Sequence, residues 1–302
     1  MAAMRRSNPA MLVTLALIWG ASFMFIKIAD RELAPATLIM GRLGSAALAL
    51  LAVALVRLGW RRTLVELRAG WRWLVVVALI NTALPFWLLS WGETRIDSGL
   101  ASIVQGSVPI FNALIAFGFF REARVTGIRL LGLAIGFVGV ALLVGAQPHG
   151  KVLGALAVVG MALCYAMGGL LAGRHLRGTP PLVVALASSA VAAVAAAPAG
   201  ILQAPSHMWK GETVAAILVL GIVGTALAYL LFFALIQTAG AAYASLVTYL
   251  VPPIALAYGA IFLSERFGAS AFAALALILA GVALGTGALR PARFRRSLPS
   301  EA

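Results

Sequence analysis

Ser102, Gln105, Pro109 and Asn112 follow one another at intervals of three, four and three residues, which sets them along one face of a helix. A hydroxyl and two carboxamides in one stripe can exchange hydrogen bonds with a polar solute, and the proline frees a backbone carbonyl beside them. The order returns as Ser245, Thr248, Pro252 and Ala255. Arg42 is the one formal charge well inside an apolar run, Arg129 standing in the first turn of its own, and a guanidinium suits a carboxylate. Its alternative is to snorkel to an interface and pair with Asp30 or Glu32. Trp19, Phe86, Trp87, Tyr165, Tyr229, Tyr249 and Tyr258 fall at similar depth and offer rings for a cavity wall, whereas Trp91 lies nearer a run's end, where interfacial anchors sit. Each reading competes with a plainer one: polar groups as interhelical glue, rings as packing, prolines as kinks.

The elements that must carry these residues follow from composition. The chain has 302 residues, 63% hydrophobic and 11% charged, where a soluble domain has about 45–50% apolar and about 25% charged residues. A soluble globular enzyme is therefore excluded. Ten apolar runs are bounded by charges or turn residues: Pro9 to Ile26, Pro35 to Val56, Trp73 to Trp91, Gly99 to Phe120, Gly127 to Gly145, Val152 to Ala172, Pro181 to Leu202, Thr213 to Leu235, Ala241 to Leu263, and Gly268 to Leu289. Each has the length of a membrane-spanning helix and is apolar on every face, unlike the alternating strands of a barrel. The expected fold class is all-α, a polytopic membrane protein. Arg5 and Arg6 precede the first run, but no small-residue cleavage site follows, so it reads as an uncleaved helix. Cys164 is the only cysteine, which rules out an intramolecular disulfide.

The two halves repeat. Thr82-Ala83-Leu84 returns as Thr225-Ala226-Leu227, Ala101-Ser102 as Ala244-Ser245, Pro109 as Pro252 and Glu122 as Glu265, all 143 residues apart. Gly139-Val140-Ala141-Leu142 matches Gly281-Val282-Ala283-Leu284 one residue out of that register. Trp19 matches Tyr165, and Pro35 matches Pro181. The expected units are a five-helix repeat over 1–145, a second over 152–289 and a basic tail over 290–302. Five spans is an odd number, so the second copy enters the membrane from the opposite side. Inverted repeats of this kind place a binding site near the midplane and alternate its access, so transport is the leading reading. Pro85, Pro109 and Pro252, near the middle of their spans, are the candidate hinges. Gly132 with Gly136 and Gly281 with Gly285 allow close helix contact, expected within the bundle rather than between protomers; the oligomeric state stays open.

The net charge of +14 is spread over loops rather than gathered into a groove. With the N-terminus inside, sixteen basic residues face the cytoplasm and six the other side, so both termini are expected to be cytoplasmic. The basicity orients the chain and meets anionic lipid; nucleic acid is not an expected partner. None of the nine acidic residues is placed mid-span, which disfavours a proton-driven carrier built on a midplane carboxylate. His149, His175 and His207 fall in loops, so no metal site is expected, and with no phosphate-cradling glycine loop there is no ATP-driven step. No cofactor is called for. An intramembrane enzyme lacks a nucleophile and base within any span.

The sequence resembles the EamA-type transporters of the drug/metabolite transporter superfamily over nearly its whole length. The resemblance rests on Trp19-Gly20-Ala21-Ser22-Phe23, on Pro35 followed by Arg42, and on the Ala-Ser, mid-helix Pro, helix-ending Glu and Gly-Val-Ala-Leu pattern in each half. The first half departs at Phe120-Arg121-Glu122-Ala123. The resemblance implies a ten-helix inner-membrane exporter of small metabolites, often amino acids, similar in plan to the YddG-type exporters of aromatic amino acids. The expectation is thus alternating-access export of a small amphipathic metabolite, by a facilitator or exchanger. Ser102, Gln105, Asn112, Ser245 and Thr248 are expected to supply polar contacts, Trp19, Trp87, Tyr165, Tyr229 and Tyr249 the wall, and Arg42 a carboxylate partner. A multidrug exporter of the same family and a passive channel are the rivals.

Overall fold

The computed structural model describes residues 8–119, 128–145 and 151–286. These form ten helices, with no strand among the described residues. Helix α1 is Pro9–Ala29 and α2 is Pro35–Ala69. Helix α3 passes from Trp71–Ala78 through a π-helical turn, Leu79–Ala83, into Leu84–Glu93. Helix α4 is Ser98–Gln105 followed by Val108–Phe119. Helices α5 to α7 are Ile128–Gly145, Val152–His175 and Pro181–Leu202. Helix α8 is Gly211–Leu218, π-helical Val219–Leu227, then Ala228–Ala239. Helix α9 is Ala241–Ala244 and Val247–Phe262, and α10 is Ala269–Thr286. Seven are long and apolar enough to cross a membrane, and three shorter apolar helices complete the set.

The ends of these helices have local causes. Asn8 caps α1 by accepting the Met11 amide at 3.0 Å, and Pro9, Pro35 and Pro181 occupy first-turn positions where a missing N–H costs nothing. One boundary differs from the sequence reading. The stretch after Val56 is helical to Ala69 rather than a loop, broken only at Gly59, whose φ of 77° suits glycine.

The ten crossings alternate between the end where α1 begins, here called proximal, and the distal end, where α1 stops. Packing follows a two-fold plan: α2 lies against its repeat mate α7, and α5 against its mate α10. The α1–α9 contact is answered by α6–α4, and α2–α8 by α7–α3. In lipid the helices gain little from hydrophobicity alone and rely on close packing. The α5–α10 seam shows it: a Cβ added at Gly281 would lie 2.6 Å from the Gly136 Cα. The small-residue pairs read from the sequence thus meet each other inside the bundle. Large apolar side chains such as Leu48, Val56, Val194 and Leu202 point outward, as a lipid-facing surface requires. Glu122, His149 and the 290–302 tail lie outside the described residues.

Candidate functional site

A cavity of about 430 Å³ sits between the two halves. Its wall is aromatic, from Trp19 on α1, Phe86 on α3, Tyr165 on α6, and Tyr229 and Phe232 on α8. Its polar groups come from Ser22, Asn81, Gln105, Asn112, Thr225, Ser245 and Thr248. Ile26 and Leu89 close it toward the distal end, while Asn112, Phe232, Ser245 and Thr248 line its proximal half.

Arg42 is the cation of this cavity. It is 5% exposed, its Nε donates to the Thr225 hydroxyl at 3.1 Å, and its guanidinium carbon lies 4.4 Å from the centre of the Phe86 ring. The snorkelling alternative does not occur, because Asp30 is bonded by the Ser90 hydroxyl at 2.8 Å and Glu32 by His207, Thr213 and the Lys210 amide. Among the described residues no carboxylate lies within ion-pair distance of Arg42. A buried guanidinium whose nearest partners are a hydroxyl and a ring keeps its capacity for an anionic group on a solute.

The structure gathers Trp19, Arg42, Gln105, Pro109, Asn112, Tyr165, Tyr229, Ser245 and Thr248 around the cavity and leaves Ser102, Trp87, Tyr249, Pro85 and Pro252 off its lining. Ser102 is fully buried, with its hydroxyl donating to the Gly99 carbonyl at 2.6 Å. Trp87 is 42% exposed and stacks on Trp91, away from the cavity. Pro85 sits in the first turn after the π segment of α3, and Pro252 within the continuous Val247–Phe262. The helix breaks themselves fall at Gly106–Ser107, just before Pro109, and at Ser245–Leu246, well before Pro252. Sequence reasoning missed Asn81, Ser22, Thr225 and Phe232 as lining residues. A signal was present for two of them, because the repeated Thr-Ala-Leu marks both π-helical turns, which carry Asn81 and Thr225 to the wall. Thr225 also ties its own turn, donating to the Leu220 carbonyl at 2.9 Å.

The distal end is sealed by side chains. Lys27 donates to the carbonyls of Glu93 and Ile96, the latter at 2.7 Å. Glu265 accepts from the amides of Ser98 and Gly99 and from the Ser98 hydroxyl, joining the two repeats. Glu93, two residues beyond the apolar run that ends at Trp91, ends α3 and is fully buried. Asp30 is pushed up to about 7 by burial, against the opposing pull of the Ser90 hydroxyl and Lys27.

Ten helices in two inverted five-helix repeats around a central cavity are a plan that many transporters use. The chain matches the EamA-like transporter family over residues 9–145 and 152–286, and it belongs to that family. A probable terminal-alkyne amino-acid exporter from Streptantibioticus cattleyicolor is 30% identical over 284 residues, covering 90% of this chain and 91% of that one. The uncharacterized transporter YvbV of Bacillus subtilis is 26% identical over 278 residues, 91% of this chain and 90% of its own. A solved crystal structure with 21% identity superposes with a TM-score of 0.66 over 95% of this chain and 98% of that one, which shows the shared fold. The protein is an integral membrane transporter and not an enzyme.

Proposed function

We propose that the protein exports small amphipathic carboxylates, amino acids foremost, across the inner membrane by alternating access, as a facilitator or exchanger. The observation that carries this reading is Arg42, a buried cation facing a cavity of otherwise neutral hydrogen-bonding groups and rings. The volume suits a small molecule. Trp19, Phe86, Tyr165 and Tyr229 match an apolar or aromatic side chain, and Gln105, Asn112 and Thr248 match amino and carboxyl groups. The amino-acid exporter among the relatives supports the same class of solute. The excess of basic residues at the proximal end favours cytoplasmic termini, so the cavity's proximal half faces the cytoplasm and the sealed end faces out. The two repeats over 1–145 and 152–289 are the bodies that rock, and the breaks next to Pro109 and ahead of Pro252 give α4 and α9 their bend.

The test is uptake of a radiolabelled amino-acid panel into proteoliposomes, followed by counterflow. Saturable uptake with trans-stimulation is expected for at least one class. Flux that neither saturates nor exchanges would make the protein a channel. The aromatic wall also suits neutral or anionic drug-like solutes, so failure of every amino acid alongside transport of such compounds would move the reading to a multidrug exporter.

A further inference from the structure

Two carboxylates lie beneath the cavity floor, in a place that solute binding does not use. Glu93 is 0% exposed and both of its carboxylate oxygens lack a hydrogen-bond partner; one oxygen of Asp30 is also buried without one. We propose that Asp30 and Glu93 form a proton-binding site, and that the proton they carry is the counter-ion exchanged for the solute. The inference takes its purpose from the transport reading above, while its site stands on geometry alone.

The placement follows from helix periodicity. Ile26 and Leu89 line the distal floor of the cavity. Asp30 and Glu93 each lie four residues further on, which puts them on the same helix faces about 6 Å deeper. The pair is therefore one turn from the solute. The charges that act on Glu93 are Lys27 of α1, Asp30 of the following loop, Glu265 between α9 and α10, and Arg42 of α2. Glu265 is already held by the amides at the start of α4. Arg42 is engaged with Thr225 and Phe86, and Lys27 directs protons to the carbonyls of Glu93 and Ile96. One ammonium thus faces two buried carboxylates at the sealed end. Two unpaired anions there would be very costly, so the pair retains a proton while the end stays closed. Asp30, raised to about 7, agrees.

The same groups hold the seal. Asp30 follows α1, whereas Ser90, Glu93 and the Lys27 acceptors belong to α3 and the turn after it. Parting those elements to open the distal end would hydrate the carboxylates and let the proton leave or enter from that side. In the closed state Ile26 and Leu89 are the one turn of side chains that a proton must pass between the pair and the cavity. Binding converts a carboxylate and a proton to a carboxylic acid, and release is the reverse, so no other reactant is consumed.

The experiment compares wild type, Glu93→Gln and Asp30→Asn in proteoliposomes with the membrane potential clamped at zero. One proton exchanged for one zwitterionic amino acid means that a pH gradient of about one unit sustains a roughly tenfold solute gradient, each tenfold being about 1.4 kcal/mol. Wild type is expected to reach that accumulation. Glu93→Gln keeps counterflow but only equilibrates the solute, a loss of about tenfold; Asp30→Asn repeats the test should the first variant fail to fold. Pumping by a carboxamide variant at the wild-type level, or wild-type counterflow indifferent to the gradient, would overturn the proposal. A readout that needs no solute accompanies it: infrared titration of the purified protein should show a buried carboxylic-acid carbonyl band that is altered in Glu93→Gln and absent once Asp30→Asn is added. A wild type without that band overturns the proton site, whereas a titrating band with no amino-acid flux overturns the choice of solute instead.

Discussion

The Arg42 Nε donates to the Thr225 hydroxyl at 3.1 Å, a bond that runs from the first repeat to the second. Its two-fold counterpart does not exist. Ser188 stands where symmetry would put a second arginine, and Thr82, the mate of Thr225, has a buried hydroxyl without a partner. The fold is thus symmetric in its helices and asymmetric in its charge.

That asymmetry makes Arg42 the first position to test. Arg42→Gln removes the cation, and Arg42→Lys keeps a charge but loses the planar group that lies over Phe86 and reaches Thr225. A hydrogen bond to a charged group is worth about 1.5–3 kcal/mol, so both variants should weaken half-saturation for carboxylate solutes by roughly 10- to 100-fold. Amino-acid amides, which lack the carboxylate, should be affected far less. Equal losses for acids and amides would assign Arg42 to packing.

Gln105 and Ser102 lie three residues apart on α4 and separate binding from packing. Gln105 lines the cavity, so Gln105→Leu should fold and insert normally while flux falls at least several-fold. Ser102 is sealed against the Gly99 carbonyl, so Ser102→Ala should leave half-saturation unchanged and cost about 1 kcal/mol of stability. Flux assays beside thermal unfolding in detergent resolve the two effects.

The ten helices were legible because runs of about 20 apolar residues bounded by charges have one physical solution in a bilayer. Which face each helix turns inward was not, because a span apolar all round carries no amphipathic signal. Trp87 is the clearest case. The π-helical turn at Leu79–Ala83 holds an extra residue and advances everything after it by about 100°, so Phe86 enters the cavity and Trp87 turns outward. A π turn differs from an α turn in carbonyl register and leaves hydropathy untouched. Glu93 is hidden for a related reason: a charged residue two positions past Trp91 reads as the end of the apolar run, although the helix carries it into the sealed end.

Gly281 tests the seam between the mated helices α5 and α10. A Cβ there would meet the Gly136 Cα at 2.6 Å and the Gly132 carbonyl oxygen at 2.7 Å, both backbone atoms that cannot step aside. Gly281→Val should therefore force the helices apart and cost about 1–3 kcal/mol, as overpacking does. A lowered thermal midpoint in detergent is the expected result. An unchanged midpoint would mean that the seam is not a close contact in the membrane.

The pH dependence of the distal seal follows from Asp30. In the closed structure burial, opposed by the Ser90 hydroxyl and Lys27, pushes its carboxyl up to about 7 from an ordinary 3.8. A carboxyl with a raised folded-state value binds its proton more tightly when closed, so the closed form holds its full advantage below about pH 4 and loses it as pH rises through about 7. Lys27 of α1, Glu93 of α3 and Glu265 of the turn before α10 face the same space. Thermal midpoints of the wild type should accordingly fall across that window. Asp30→Asn keeps the shape and cannot ionise, so its midpoint should vary much less with pH over the same range. A variant that retains the full wild-type slope would place the titrating group elsewhere.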